Sequence, residues 1–170
     1  VSIGIAGVGA SIANATANGS ATANSQGNFS GGNNLNVKAM GDNKARAQAD
    51  GAAAGVVSVN VPIANAETSP TLTAQLGGTV NVQGAIDVAA ESQGEAKTDA
   101  IGIAIGLAGI GAMFTESTMS PTLVAAVTGG TITASSVSVR TVHNFGNGKK
   151  SESKTIAATG GVIGVSVNDA

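Results

Sequence analysis

The chain repeats itself at an interval of 51 residues, and that interval limits what it can fold into more than any other feature. Ser69-Pro70-Thr71-Leu72-Thr73-Ala74 returns as Ser120-Pro121-Thr122-Leu123-Val124-Ala125, and Ile12-Ala13-Asn14-Ala15 returns as Ile63-Ala64-Asn65-Ala66. Ile86-Asp87-Val88 falls on Val137-Ser138-Val139 ahead of it and on Leu35-Asn36-Val37 behind it, again 51 positions away. Gly77-Gly78-Thr79-Val80 matches Gly129-Gly130-Thr131-Ile132 at 52, a one-residue slip suited to a turn. Val57-Ser58-Val59-Asn60 matches Val165-Ser166-Val167-Asn168 at 108, six more than two intervals. Those six residues are expected in the Gly/Asn/Lys stretch from Asn144 to Lys150, which reads as an exposed loop. A long fixed interval is the mark of an architecture that stacks copies of one unit. The chain is therefore read as a single repetitive segment, with approximate repeats 1–51, 52–102 and 103–158 and the start of another at 159–170.

Inside each repeat the period is two. Thr79-Val80-Asn81-Val82 and Ala85-Ile86-Asp87-Val88 alternate polar with apolar around Gln83-Gly84, as two strands about a turn would. Ser136-Val137-Ser138-Val139-Arg140 does the same. Lys44-Ala45-Arg46-Ala47-Gln48-Ala49-Asp50 alternates with Ala on its inner side, whereas a helix would scatter those alanines around all its faces. The fold class expected is all-β: a parallel β-solenoid (β-helix), with about two coils of ~25 residues in each 51-residue repeat. An elongated β-sandwich or a stacked-hairpin array satisfies the same alternation. The stacked core is expected from Thr71, Leu72, Val80, Val82, Ile86 and Val88 with Leu123, Ile132, Val137 and Val139.

Composition agrees with a narrow core. Apolar residues make up 42% of the 170-residue chain but aromatics only 2%, while Gly numbers 25 and Ala 31. A chain this rich in Val and Ile and only 11% charged is not a disordered one. With 3 Pro and no triplet period of Gly, collagen is excluded too. The net charge of −2 gives no footprint for nucleic acid. The absence of Cys removes thiol chemistry, and a lone His143 removes any multi-histidine metal site. The longest apolar run, Ile101 to Phe114, is 14 residues, short of the ~20 of a membrane-spanning helix. The chain starts with Val and shows no signal sequence, and neither end carries a polar cap. It is therefore expected to be a mature piece or a fragment of something longer, or a subunit that stacks head to tail.

Ile101-Gly102-Ile103-Ala104-Ile105-Gly106-Leu107-Ala108 alternates large with tiny, so both faces are apolar. Two readings stand: a strand buried on both sides within the molecule, or an apolar strip through which fibres or subunits meet laterally. For the second, the strip residues are Ile101, Gly102, Ile103, Ala104, Ile105 and Gly106. Gly106→Glu is then expected to leave the fold intact and abolish bundling.

No catalytic, cofactor-binding or metal residue is assigned. The densest acids, Asp87, Glu91, Glu95 and Asp99 with Lys97, read as a solvated rim that discourages edge pairing. His143 reads as a loop histidine. The calcium-binding nonapeptide is absent, since neither Gly31-Gly32-Asn33-Asn34 nor Gly41-Asp42-Asn43 repeats it. Gly102 to Gly111 lacks the Lys and Ser/Thr of a phosphate loop. Three formal glycosylation sequons, at Asn14, Asn18 and Asn28, fall in an Asn/Ser/Thr-rich stretch where chance supplies them. The pairs Thr71/Thr73 and Thr131/Thr133 suggest an ice-binding face but are expected in different strands, forming no single array.

The pattern Gly77-Gly78-Thr79-Val80-x-Val82-x-Gly84-x-Ile86-x-Val88-x-Ala90, then an Ala/charged alternation and the apolar strip, resembles repeats of large secreted bacterial filamentous adhesins. Filamentous-haemagglutinin-like and leukotoxin-like proteins are the families meant. The second copy departs from it, with Ser135-Ser136 where the first has Gln83-Gly84. The resemblance implies an extended β-helix at a bacterial cell surface or in an extracellular fibre, not an enzyme. Its partners would be further copies of itself or neighbouring repeats, and host or community cell-surface glycans. No nucleic-acid partner, membrane span or cofactor is implied. A carbohydrate-active β-helix enzyme and an adhesin segment that carries a receptor site itself are the competing functions.

Overall fold

A computed structural model describes residues 2–144 and 150–169 of the chain. It is all-β, with parallel strands in curled sheets. Eleven strands follow one another: β1 (Ser2–Ala17), β2 (Ser20–Ser30), β3 (Leu35–Thr68), β4 (Thr71–Asn81), β5 (Ala85–Ile105), β6 (Ala108–Met119), β7 (Thr122–Val127), β8 (Ile132–Thr133), β9 (Ser136–His143), β10 (Ser151–Gly160) and β11 (Ile163–Asp169).

Every strand pairing is parallel, and its step is the sequence repeat. Ser2 pairs with Ala53 and Ala17 with Thr68 between β1 and β3; Leu35 pairs with Ile86 between β3 and β5; Thr71 pairs with Thr122 between β4 and β7. Each partner lies 51 positions on. The step is 52 where Val80 meets Ile132, as the Gly-Gly slip requires. The chain thus meets itself once per repeat, and each 51-residue length forms a tier hydrogen-bonded to the next. The two coils per repeat expected from the sequence are corrected: among the described residues no strand pairs with a partner about 25 positions away. Strands as long as the 34-residue β3, which bend without ending, use up the whole repeat before the chain returns.

The inserted loop is also smaller than six residues. Ser92 pairs with His143 at a step of 51, whereas Ala96 pairs with Ser151 and Ala108 with Ile163 at 55. Four residues have been added, so Val165 stands over Ile110 and Val59, and Val57 is topped by Ala108 and Ile163. Residues 145–149 of that loop lie outside the described residues.

Each tier has three walls. A first wall runs along β5 and its counterparts, the front of β3 below it and β9 with β10 above. A return wall runs back along β1, the rear of β3, β6 and β11. A third wall is formed by β2, β4, β7 and β8. Two cores result, because one long wall faces two partners. Between the third wall and the start of the first lie Val37, Leu72, Leu76, Val80, Val82, Ile86, Val88 and Ala90. Between the return wall and the far half of the first lie Ala45, Ala47, Ala49, Ala64, Ala66, Ala96 and Ala100 with Met113, and almost nothing larger. Two walls faced with Ala approach closely, so this half of the tier is a thin wing beside a thicker body.

Glycine is obligatory at two corners. At the wing tip, Gly4, Gly55, Gly106 and Gly161 stack in one column, and a Cβ on Gly55, Gly106 or Gly161 would run into the carbonyl oxygen of the glycine beneath it. At the third-wall corner Gly78 and Gly130 have φ of 88° and 97°, a left-handed backbone that suits only Gly well, and they stack on Gly27. Polar side chains bind the tiers at other corners: Asn65 donates to Asn14 Oδ1 at 3.0 Å, Ser69 to Asn18 Oδ1 at 2.7 Å, and the Ala85 amide to Asn34 Oδ1 at 2.8 Å.

Candidate self-association surface

The strip splits by parity. Gly102 and Ala104 point into the wing and are buried against the return wall, while Ile101, Ile103 and Ile105 point outward. Ile103 and Ile105 are 39% and 56% exposed. Gly106 lies at the tip, where a side chain would meet the Gly55 carbonyl, so the expectation that Gly106→Glu spares the fold is corrected. Small residues face inward here because the opposite wall is close: a Cβ on Gly109 would stand 3.1 Å from the Ala104 oxygen.

The return wall carries a second apolar surface that strip reasoning missed. Val8 and Ile12 in the first tier, Val57 in the next, Ile110 and Phe114 above, then Ile163, Val165 and Val167 are all exposed. Leu107, Val56, Ile5 and Val162 cap the tip in a column of their own. The signal was present in the sequence: Val57 to Ile63 and Ala108 to Phe114 keep branched or large residues mostly on alternate positions, with Ser58, Gly109 and Gly111 between them.

Of the expected core, Leu72, Val80, Val82, Ile86 and Val88 are buried, and Leu123 and Ile132 pack against them half-buried. Thr71 points outward from the third wall. Val137 and Val139 stand over Ile86 and Val88, and their upper sides are open. Thr71 and Thr73 lie in register with Ser20/Thr22 below and Thr122/Val124 above, so that pair does belong to an ordered ladder. Thr133 tops Asn81 beyond the Gly78 corner, in different columns.

The acids do not form one group. Asp87 is held by Lys38 from the tier below at 3.4 Å and by Arg140 from the tier above through two hydrogen bonds of 3.0 and 3.2 Å. Glu91 is held by the same two cations, at 3.6 and 2.7 Å. The Arg140 hydrogen bonds, outweighing the cost of partial burial and aided by the Lys38 charge, keep the Asp87 carboxyl below its ordinary range. Asp99 pairs with Arg46 at 3.2 Å and Lys97 with Glu152 at 3.3 Å, again between tiers. These carboxylates act as ties between layers. Glu95, the fourth of the cluster, makes no ion pair among the described residues.

His143 is half-buried with its Nδ1 shielded and without a partner, instead of lying free in a loop. Among the described residues no three His, Asp or Glu side chains converge as metal ligands do. Among the described residues no helix is long and apolar enough to cross a membrane. Comparison with protein-family models, with curated proteins and with solved structures gave no match.

Proposed function

We propose that the chain is a β-solenoid building block of an extracellular or cell-surface filament or adhesin stalk, which associates through its strand edges and its apolar wing. The observation that carries this reading is the pairing step. All three walls return on themselves at an interval of 51, lengthened only by the one-residue slip at the third-wall corner and the four residues added beyond His143, so every tier offers the next one nearly the surface it has itself been offered. Such an array is stabilised mainly between neighbours and extends without a change of design. The outer strands β1 and β2 on one side and β7 to β11 on the other leave main-chain donors and acceptors open along the axis. The inter-tier ion pairs and Asn ladders support the same reading, since they resist sliding of one tier on the next. A stalk made this way carries load along hydrogen bonds parallel to its axis.

Electron microscopy of the material as it occurs on cells or in culture fluid tests the proposal. Filaments with a meridional spacing of ~4.8 Å are expected, with strands crossing the axis. Isolated globular particles at all concentrations would overturn it.

A further inference from the structure

The wing has two outer faces, and they are complementary to each other rather than to themselves. On the return wall an apolar band runs inward from the tip through Ala108, Ile110, Ala112 and Phe114 and gives way to Glu116, eight positions in, with Glu67 one column further. On the first wall the band runs through Ile105, Ile103 and Ile101 and gives way to the mixed column of Gln48, Asp99 and Lys154, six positions in, and then to the column of Arg46, Lys97 and Glu152, eight positions in. Every Lys and Arg in a described strand lies on the first wall, at 38, 44, 46, 97, 140 and 154, among the acids Asp42, Asp50, Asp87, Glu91, Glu95, Asp99 and Glu152. The return wall has only acids, Glu67, Glu116 and Asp169. Glu67 and Glu116 lie within hydrogen-bond distance of the Ser69 and Thr118 hydroxyls but meet no cation among the described residues. Across the wing, Arg46 is tied to Asp99 and Lys97 to Glu152, while Lys44 and Lys154 make no ion pair among the described residues.

We infer that the occupant of the return wall is the first wall of a second copy of this chain, wings side by side with their tips pointing the same way. This rests on the reading of the chain as a self-associating structural element, and it specifies the geometry. Apolar band then covers apolar band at the ~10 Å spacing of stacked sheets, Glu116 comes level with the column of Arg46 and Lys97, and Glu67 comes level with that of Lys44. Two return walls brought together would instead set acid against acid. The contact is heterologous, leaving one free face at each end of the row, so it grows into ribbons and does not stop at a dimer. The three tiers of the first wall at ~4.8 Å and about seven residues of ~3.3 Å give a face on the order of 330 Å². That is below the ~800 Å² per partner of a stable interface. One chain therefore binds weakly, and the contact strengthens in proportion to the tiers joined.

The chain has no cysteine, which permits a direct test. Ile103→Cys and Ile110→Cys each sit two positions from the tip, on opposite walls. The two variants, one carrying a mass tag, are mixed as soluble chains and mildly oxidised, with Thr71→Cys on the third wall as the background. The mixed 103–110 disulfide is expected to exceed both like-with-like products and the background at least fivefold. Glu67→Lys with Glu116→Lys in the Ile110→Cys chain is expected to bring it to background. Adding Lys44→Glu and Arg46→Glu to the Ile103→Cys chain is expected to restore it. Like-with-like products equal to the mixed one, or a mixed yield indifferent to charge reversal, would overturn the inference. Because the readout uses soluble chains, failure here alongside filaments in the microscope removes only the lateral geometry. Success without filaments removes only the stalk.

Discussion

Val37, Val88 and Val139 occupy one column of three tiers, so a single substitution can be made three times with the chemistry held constant. Val88 is 0% exposed, Val37 6% and Val139 46%. Val→Ala removes two carbon groups, ~1.6 kcal/mol of transfer free energy when fully buried at ~0.8 each. At Val88 a cavity between two tiers adds to this, giving about 2–3 kcal/mol. Val139 already keeps nearly half its surface in water and encloses no cavity, so its loss is expected below about 1 kcal/mol. Val37, covered from above and nearly buried at its side, falls between them. Urea unfolding of the 170-residue chain, at a concentration where sedimentation shows a monomer, measures all three, with equal slopes confirming that the same surface is exposed in each. If Val139→Ala costs a monomer as much as Val88→Ala, the column is not stacked in the register described, and the argument from tiers fails.

The remaining expectations use other parts of the stack. Gly106→Ala is expected to lower the thermal midpoint markedly because its Cβ meets the Gly55 carbonyl, whereas Ile105→Glu leaves the midpoint within a few degrees; equal effects would refute the glycine column. Asn60 is buried at 0% exposure with neither amide atom hydrogen-bonded, so Asn60→Ala is expected to be neutral or to stabilise the chain by up to ~1 kcal/mol; a loss above that would show that the amide has a partner. Asp87, held below its ordinary value of about 3.9, contributes stability that is complete above that value and disappears as pH falls through its lower folded value. Asp87→Asn should therefore destabilise the chain at neutral pH and converge with the parent in acid. Parallel stability curves down to about pH 2 would remove Asp87 from the inter-tier ties.

The parts legible in the sequence were those in which a local pattern and the repeat agree. Alternation about Gln83-Gly84 marked Val80, Val82, Ile86 and Val88 as inward, and the one-residue slip at Gly129-Gly130 reappears as the single pairing at 52. The number of returns per repeat was not legible, because alternation is satisfied by pairing at half the interval as well as at the whole. Nor does alternation say which face is inside. In Ile101 to Gly106 the larger side chains point out, against the usual rule, because what decides is the distance to a wall that comes from residues 108–119. The ties Lys38–Asp87–Arg140 join residues about fifty positions apart and become visible only when the register is fixed. Read along the chain, Asp87, Glu91, Glu95 and Asp99 form a cluster; read across the tiers, Asp87 and Asp99 belong to two separate ladders.

The wing and the body differ in what holds them, and that difference bears on function. In the body, Leu72, Leu76, Ile86 and Val88 are each wholly buried, and burial of such side chains is worth about 1.5–3 kcal/mol apiece. In the wing, apart from Met113 and Asn60, the buried side chains are mostly methyl groups, glycine hydrogens and a few hydroxyls such as Thr98, bonded to Ser117 and Ser153. Its main support is the ladder of main-chain hydrogen bonds to the tiers above and below. The wing's other large apolar side chains, among them Ile105, Leu107, Ile110 and Phe114, point away from that interior. They can add to stability only by meeting a surface outside the tier to which they belong. A wing built with small residues inside and large ones outside is thus poorly arranged for a solitary domain and well arranged for one member of a row.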